Sequence, residues 1–196
     1  THNFMNENFD TKGENRLTVG KEIDYCSMEI NLLPNGDITL TNAAKIDKFL
    51  EDAGKTDIIP TKQPPMTKGS LKAALTQDTP LTDEENTARL GDNGRFGWLA
   101  QTTHVGLVVA TSIAQGLPAI EGTKAVSEQM YQWIKAHRRD GLISKSGVNT
   151  GLYSSGDADW GGMHSITGET RSRTAEYHEY NGMCIDAHSS LQKTIS

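Results

Sequence analysis

The chain is predicted to be an α+β protein: an N-terminal β-hairpin, a helical middle and a strand-rich end. Three patterns carry this. Apolar residues alternate on both sides of Pro34-Asn35-Gly36-Asp37, they recur at helical spacing from Ile46 to Ala53 and from Val126 to His137, and glycine-rich, alternating segments return after Gly141.

The hairpin lies in YCSMEINLLPNGDITLT. Met28, Ile30 and Leu32 alternate before the turn, Ile38 and Leu40 after it. Asn35-Gly36 supplies the positive φ angles of a tight turn. A helix follows in TNAAKIDKFLEDAG, capped by Thr41 or Asn42. Ile46, Phe49, Leu50 and Ala53 share one face, and Gly54 ends it. The proline-bearing IIPTKQPPMTKGS is expected to be extended and exposed. TPLTDEENTARL reads as a short helix with acidic residues in its first turn. A second helical piece begins at Phe96, Trp98 and Leu99. Thr103 then caps a third, with Val105, Val108, Val109 and Ile113 on one face; its β-branched residues leave a strand as the alternative. The last helix runs from Glu121 to His137, where Val126, Met130, Trp133, Ile134 and His137 form a core stripe rather than a ligand box. Beyond it, Gly151–Ser155 is a short strand leading into GDADWGG. Asn181-Gly182, flanked by Tyr177, Tyr180, Met183 and Ile185, marks another hairpin. The change of pattern puts a domain boundary between residues 140 and 150.

Composition narrows the function classes. The formal net charge is -6, whereas a free-standing nucleic-acid binder is usually basic. A nucleic-acid role therefore needs a local basic face or neighbouring domains. The most apolar run, GLVVATSIA, is interrupted by Thr111 and Ser112 and falls short of the ~20 residues of a membrane span. Cys26 and Cys184 lie outside any CxxC pattern; one disulfide is open to them, but reduced thiols are the expectation, and with them an intracellular rather than a secreted protein. THNFMNENFD begins without Met or a charged-then-apolar leader, which reads as the interior of a longer frame or a processed product.

The chemistry-bearing residues concentrate near the end. On a strand, Asp157 and Asp159 share a face. Paired carboxylates begin a site for Mg2+ or Mn2+, and phosphodiester cleavage often uses two such ions ~3.5–4 Å apart. An Asp-rich turn with Trp160 packed beneath is the plainer reading. His164, His178 and His188, near Glu179 and Asp186, allow a zinc site to be drawn, but no pair has ligand spacing. Ser155 lacks a nucleophile elbow, and neither a GxGxxG nor a Walker loop is present. Cations gather in KAHRR, with Lys135, Arg138 and Arg139, and in Arg171 and Arg173. Both groups suit phosphate, and both suit a solvated surface.

Taken in order, these segments resemble the C-terminal part of a copia-type LTR retrotransposon reverse transcriptase running into its ribonuclease H domain. MEINLLPNGDITLTNAAKIDKFLEDAG is similar to the hairpin–helix unit after the polymerase palm, and IIPTKQPPM to the connection that follows. RFGWLAQTTHVGLVVATSIAQG resembles the family's Trp-Leu-Ala core, with His104-Val105-Gly106-Leu107 where the family has Arg-Pro-Asp-Ile. YQWIKAHRRDGL, GLYSSGDADWGG, TRSRT, YNGMCID and HSSLQKTIS resemble the next helix and the opening strands of ribonuclease H. The resemblance implies a thumb/connection-like region over 1–140 and the start of an incomplete ribonuclease H-like mixed sheet over 150–196. It further implies Asp157 as catalytic metal ligand, Asp159 as its neighbour, Mg2+ as cofactor, and an RNA–DNA hybrid as substrate. Lys135, Arg138, Arg139, Arg171 and Arg173 would touch its backbone. The polymerase aspartates lie upstream in the family, and its next ribonuclease H carboxylate falls beyond Ser196. Glu176 precedes the Asn-Gly hairpin instead of following it, so it takes no such role. The expectation is a piece inert by itself, with an exposed sheet edge that a protein partner or further elements cover. The alternative is a non-catalytic structural or interaction subunit derived from such an element.

Overall fold

In a computed structural model of the chain, residues 16–159, 166 and 171–193 are described. The protein is mixed α and β, with two sheets and five α-helices among the described residues. In sequence order these are β1 (Ile23–Tyr25), β2 (Met28–Leu32), β3 (Ile38–Thr41), α1 (Ala43–Asp52), α2 (Lys68–Ala74), α3 (Asp83–Thr102), a 3-10 turn (Val105–Leu107), α4 (Val108–Gln115), α5 (Thr123–Ala136), β4 (Gly141–Ser144), β5 (Leu152–Asp159), β6 (Arg173–Tyr180) and β7 (Met183–Leu191). One sheet has the order β1-β2-β3-β4, the other β5-β6-β7. Every strand pair in both is antiparallel, so the mixed sheet expected at the end of the chain is not what these strands form.

Both expected hairpins are present, with different turns. Between β2 and β3 only Gly36 has positive φ (87°). The loop spans Leu33–Asp37, closed by Leu33 N–H donating to the Asp37 carbonyl (2.8 Å), rather than a two-residue Asn-Gly turn. Between β6 and β7 both Asn181 (φ 49°) and Gly182 (φ 79°) are left-handed, and Tyr180 pairs with Met183. That is the two-residue turn whose twist matches its strands. The β1–β2 turn uses Cys26 (φ 54°) and Ser27 (φ 61°); no glycine marks it, and it is not legible from the sequence. Both cysteines are free thiols, Cys26 exposed and Cys184 buried.

The helical middle differs from expectation in three places. TPLTDEENTARL and the segment starting at Phe96 are one helix, the twenty-residue α3. Its start is a capping box: Thr82 Oγ1 accepts from Glu85 N–H (3.2 Å), and the Glu85 carboxylate accepts from Thr82 N–H (2.9 Å). Its second half is held by the buried Phe96, Leu99 and Ala100, and this burial outweighs the helix-weakening glycines between. The end of the expected extended connection, from Lys68, is already helical, and the helix runs on to Ala74. Thr67 and Ser70 form its capping box, and Leu71 and Ala74 are buried. In α4 the buried face is Ala110, Thr111 and Ala114, while Val109 is exposed. The strand alternative is not taken, and the expected face is rotated, because α4 presents its small residues to α3. An added Cβ at Gly97 would lie 3.7 Å from Thr111 Cγ2.

The core joins these helices and leaves the sheets outside it. Ile46, Phe49, Leu50, Leu71, Phe96, Leu99, Leu107, Val126, Met130, Tyr131 and Ile134 are all buried in one cluster. The stripe of α5 is as expected at Val126, Met130 and Ile134, while Trp133 and His137 stack at 4.2 Å on its margin. Tyr131 donates its hydroxyl to Asp92 Oδ1 (2.5 Å), which also pairs with Arg95 (2.7 Å). After α5 the chain returns to the first sheet through β4, where Leu142 pairs with Leu40 and Gly141 with Thr41.

Two predictions follow from packing. Gly122 lies so close to the end of α2 that an added Cβ would stand 1.7 Å from the Ala74 carbonyl oxygen, whereas an added Cβ at Gly91 meets nothing within 4 Å. Urea denaturation is expected to show Gly122→Ala destabilised by on the order of 3 kcal/mol and Gly91→Ala stabilised by about 0.5–1 kcal/mol. Second, His104 is buried, its Nε2–H donating to the His137 carbonyl (3.0 Å) and its Nδ1 accepting from the Thr103 hydroxyl (2.7 Å). Burial lowers its pKa below the ordinary 6.5, against the smaller opposing pull of the His137 carbonyl and of Asp140. The unfolded chain therefore takes up a proton first as pH falls, and stability drops from about pH 6.5 down to the depressed value. The denaturation midpoint measured between pH 7.5 and 5.5 should fall in the wild type and flatten in His104→Gln.

Candidate functional site

The β5–β6–β7 sheet is the element that gathers the predicted residues, and its register decides which face each occupies. Directly opposed residues share a face. Asp157, Ala175 and Ser189 form one row across the three strands, and Asp159, Arg173 and Leu191 the next. Asp157 thus lies on a regular strand, not in the Asp-rich turn of the plainer reading. The strand is longer than the expected Gly151–Ser155 and includes both aspartates. Among the described residues β5 is an edge, paired only with β6. Trp160 and His164 lie outside the described residues.

The face of this row turns towards the helices. Asp157, Arg173, Ala175 and Ser189 wall a cavity of about 420 Å³, closed on the other side by Pro64, Pro65, Met66, Lys68 and Leu71 and by Val109, Ala110 and Ile113 of α4. Asp157 and Lys68 are exposed; Arg173 and Ser189 are half-buried. Asp157 Oδ1 accepts from the Ala158 N–H (2.8 Å). Arg173 Nη1 donates to Ser112 Oγ, and Ser112 Oγ donates to the Ser189 carbonyl (2.7 Å). Ser112 therefore links α4 to both β6 and β7. The Ser189 hydroxyl is buried without a hydrogen-bond partner.

The expected metal ligands do not come together with further acids. Among the described residues no group of three or more His, Cys, Asp or Glu is arranged to hold a metal ion. The cavity neighbours of Asp157 are cations, Arg173 and Lys68. They add positive charge where a further acid would be needed to hold a divalent ion.

The expected nucleic-acid contacts are divided. Lys135 donates to the Thr56 and Ile58 carbonyls (2.8 Å to Ile58), tying α5 to the loop after α1. Arg138 pairs with Asp47 through two hydrogen bonds, Nε to Oδ1 at 2.8 Å. Arg139 is exposed, Arg171 is half-buried before β6, and Arg173 belongs to the cavity.

The opposite face of the sheet carries Glu176, His178 and His188. The Glu176 carboxylate lies 3.7 Å from both His178 Nε2 and His188 Nε2, and Ser154 Oγ meets His178 Nδ1 at 2.8 Å. The serine–histidine–glutamate order resembles a nucleophile with its base. Yet these residues lie on a largely exposed sheet face, and the carboxylate at 3.7 Å from Nε2 is beyond hydrogen-bond reach, so it does not orient the imidazole as a triad acid does. On the Ala175 face, Tyr177 donates to Glu179 (3.0 Å), and burial, aided by this bond, raises the Tyr177 hydroxyl to about 12.

The sequence singled out Asp157, Asp159 and Arg173, but not Ser189, which joins the Asp157 row by strand pairing, nor Ser112 and Lys68, which come near it only through packing of distant segments. No family model, no curated protein and no solved structure matches the chain.

If the Glu176 network is a surface feature, Glu176→Gln should shift the urea midpoint by an amount equivalent to less than about 1 kcal/mol. A larger loss would mean that the carboxylate holds β6 and β7 together.

Proposed function

We propose that the chain is part of a copia-type retrotransposon reverse transcriptase–ribonuclease H, with β5–β7 as the opening meander of the ribonuclease H-like region and Asp157 as its first metal ligand. The observation that carries this reading is the position of Asp157: inside an eight-residue strand, in register with β6, which turns into β7 through Asn181-Gly182. A metal-dependent nuclease needs a fixed carboxylate on a rigid element, and a paired strand provides one.

The fit to Mg2+ is partial. The ion prefers octahedral oxygen ligation, usually from one or two carboxylates together with water and phosphate. Asp157 offers hard oxygens, but its cavity neighbours Arg173 and Lys68 add positive charge where a second acid is wanted. The described residues therefore support no hydrolytic step of their own. In this reading the chain is inert towards an RNA–DNA hybrid until further carboxylates join Asp157. When bound, the ion would supply charge neutralisation at the scissile phosphate.

A non-catalytic structural or interaction role, derived from such an element, is the second reading. It is favoured by Lys135, Arg138 and Arg173, whose hydrogen bonds go to the protein itself, and by the net charge of -6. A protein partner pairing along the outer side of β5 would then cover that edge.

The test joins cleavage with metal mapping. The purified chain and Asp157→Asn, incubated with a labelled hybrid and Mg2+, should show the same background. Paramagnetic broadening by Mn2+ should centre on the amides around residue 157 and vanish in Asp157→Asn. Broadening that ignores residue 157 would contradict the ligand assignment. Magnesium-dependent cleavage lost in the variant would contradict inertness.

A further inference from the structure

We propose that Asn181 is a self-modifying site: the folded chain converts its amide, through a cyclic imide with Gly182, into an aspartyl or isoaspartyl residue, and the isoaspartyl form unlatches the β6–β7 hairpin. The inference is independent of the nuclease reading and uses no metal. The sequence holds three Asn-Gly pairs, Asn35-Gly36, Asn93-Gly94 and Asn181-Gly182. Glycine has no side chain to shield the peptide nitrogen after the asparagine, so all three carry the same intrinsic chemistry. The fold separates them.

The first step is an intramolecular substitution. The Gly182 nitrogen attacks Asn181 Cγ and forms an N–Cγ bond. The Cγ–Nδ2 bond breaks, and Nδ2 leaves as ammonia with the proton that the Gly182 nitrogen gives up. Water then adds to one of the two imide carbonyls. Opening on one side gives aspartate at position 181. Opening on the other routes the backbone through the former side chain, as isoaspartate. No oxidant or cofactor enters.

At Asn181 the reacting groups are open. Gly182 is exposed at the tip of the two-residue turn, and its N–H has no hydrogen-bond partner among the described residues. The attacking nitrogen has no bond to give up. Asn181 Oδ1 accepts from the Gly151 N–H (3.2 Å), a donor aimed at the oxygen on which negative charge grows as the nitrogen adds. The turn also belongs to a sheet outside the buried apolar cluster, so the backbone movement that brings nitrogen to carbon disturbs none of that core.

The other two pairs are held. Gly36 N–H donates to the Leu33 carbonyl (2.9 Å). Asn35 Oδ1 accepts a backbone N–H too, from Asp37 (3.1 Å), but Asn35 Nδ2 donates to the Asp37 carboxylate (2.9 Å), whose charge opposes an oxyanion beside it. Asn93 is buried within α3, where the helix engages Gly94 N–H, and its amide donates to the Ala114 carbonyl (3.4 Å).

The test is peptide mapping of the whole chain aged at neutral pH, folded and in urea. In the folded chain Asn181 should convert about fivefold or more faster than Asn35, the advantage of a hydrogen bond that need not be broken, and Asn93 should be slowest. In urea the three rates should converge. Aspartyl and isoaspartyl products should both form, since the imide opens on either side. Chains with isoaspartate should lose amide protection in β6 and β7, because an extra backbone carbon in the turn cannot keep Tyr180 opposite Met183. Conversion of Asn35 as fast as Asn181 in the folded chain, a ranking that urea leaves unchanged, an aspartyl product alone, or isoaspartyl chains with full protection would each overturn the proposal. The wild-type chain supplies every reading, so no variant has to fold.

Discussion

Among the described residues, one hydroxyl bridges the helices to two strands of the second sheet. Ser112 Oγ, on α4, donates to the carbonyl of Ser189 on β7 and accepts from the guanidinium of Arg173 on β6. The apolar cluster lies among the helices and the 3-10 turn, and no residue of β5, β6 or β7 is among its fully buried members. The sheet gains stability by packing against helices, here through β7 against α3, α4 and β4. The Ser112 contact adds a directional link to that packing, and the position of Asp157 rests on the sheet.

The same contact explains the character of the candidate site. By accepting from Arg173, Ser112 holds a cation in the wall that also includes Asp157. An acid lining a cavity together with cations is a poor start for a divalent-metal site. The nuclease-derived reading therefore requires carboxylates joining Asp157 from elsewhere.

Legibility in the sequence follows the range of the interactions involved. Asn181-Gly182 was readable because a two-residue turn is local and needs left-handed φ at both positions. The stripe Val126–Met130–Ile134 was readable because one helix face repeats within a single segment. The continuity of α3 was hidden by Gly91, Gly94 and Gly97, whose cost is offset by Phe96 and Leu99 packing against other helices. The α2 helix was hidden behind Pro64 and Pro65, and by a capping box that uses Ser70 in place of an acid. In α4 the β-branched residues suggested one face, but close approach to α3 selects Ala110, Thr111 and Ala114. Asp157 stood out by spacing, whereas Ser112 meets Ser189 across 77 positions of chain and carries no local signal.

Hydrogen exchange in Ser112→Ala tests this dependence most directly. Amide protection at Tyr177 in β6 and Cys184 in β7 should fall by about tenfold or more, as expected for loss of a charge-assisted bond, while Met130 and Ile134 in α5 keep theirs. Unchanged protection in β6 and β7 would mean that the sheet is held by something other than the Ser112 hydroxyl, and the placement of Asp157 would need another cause.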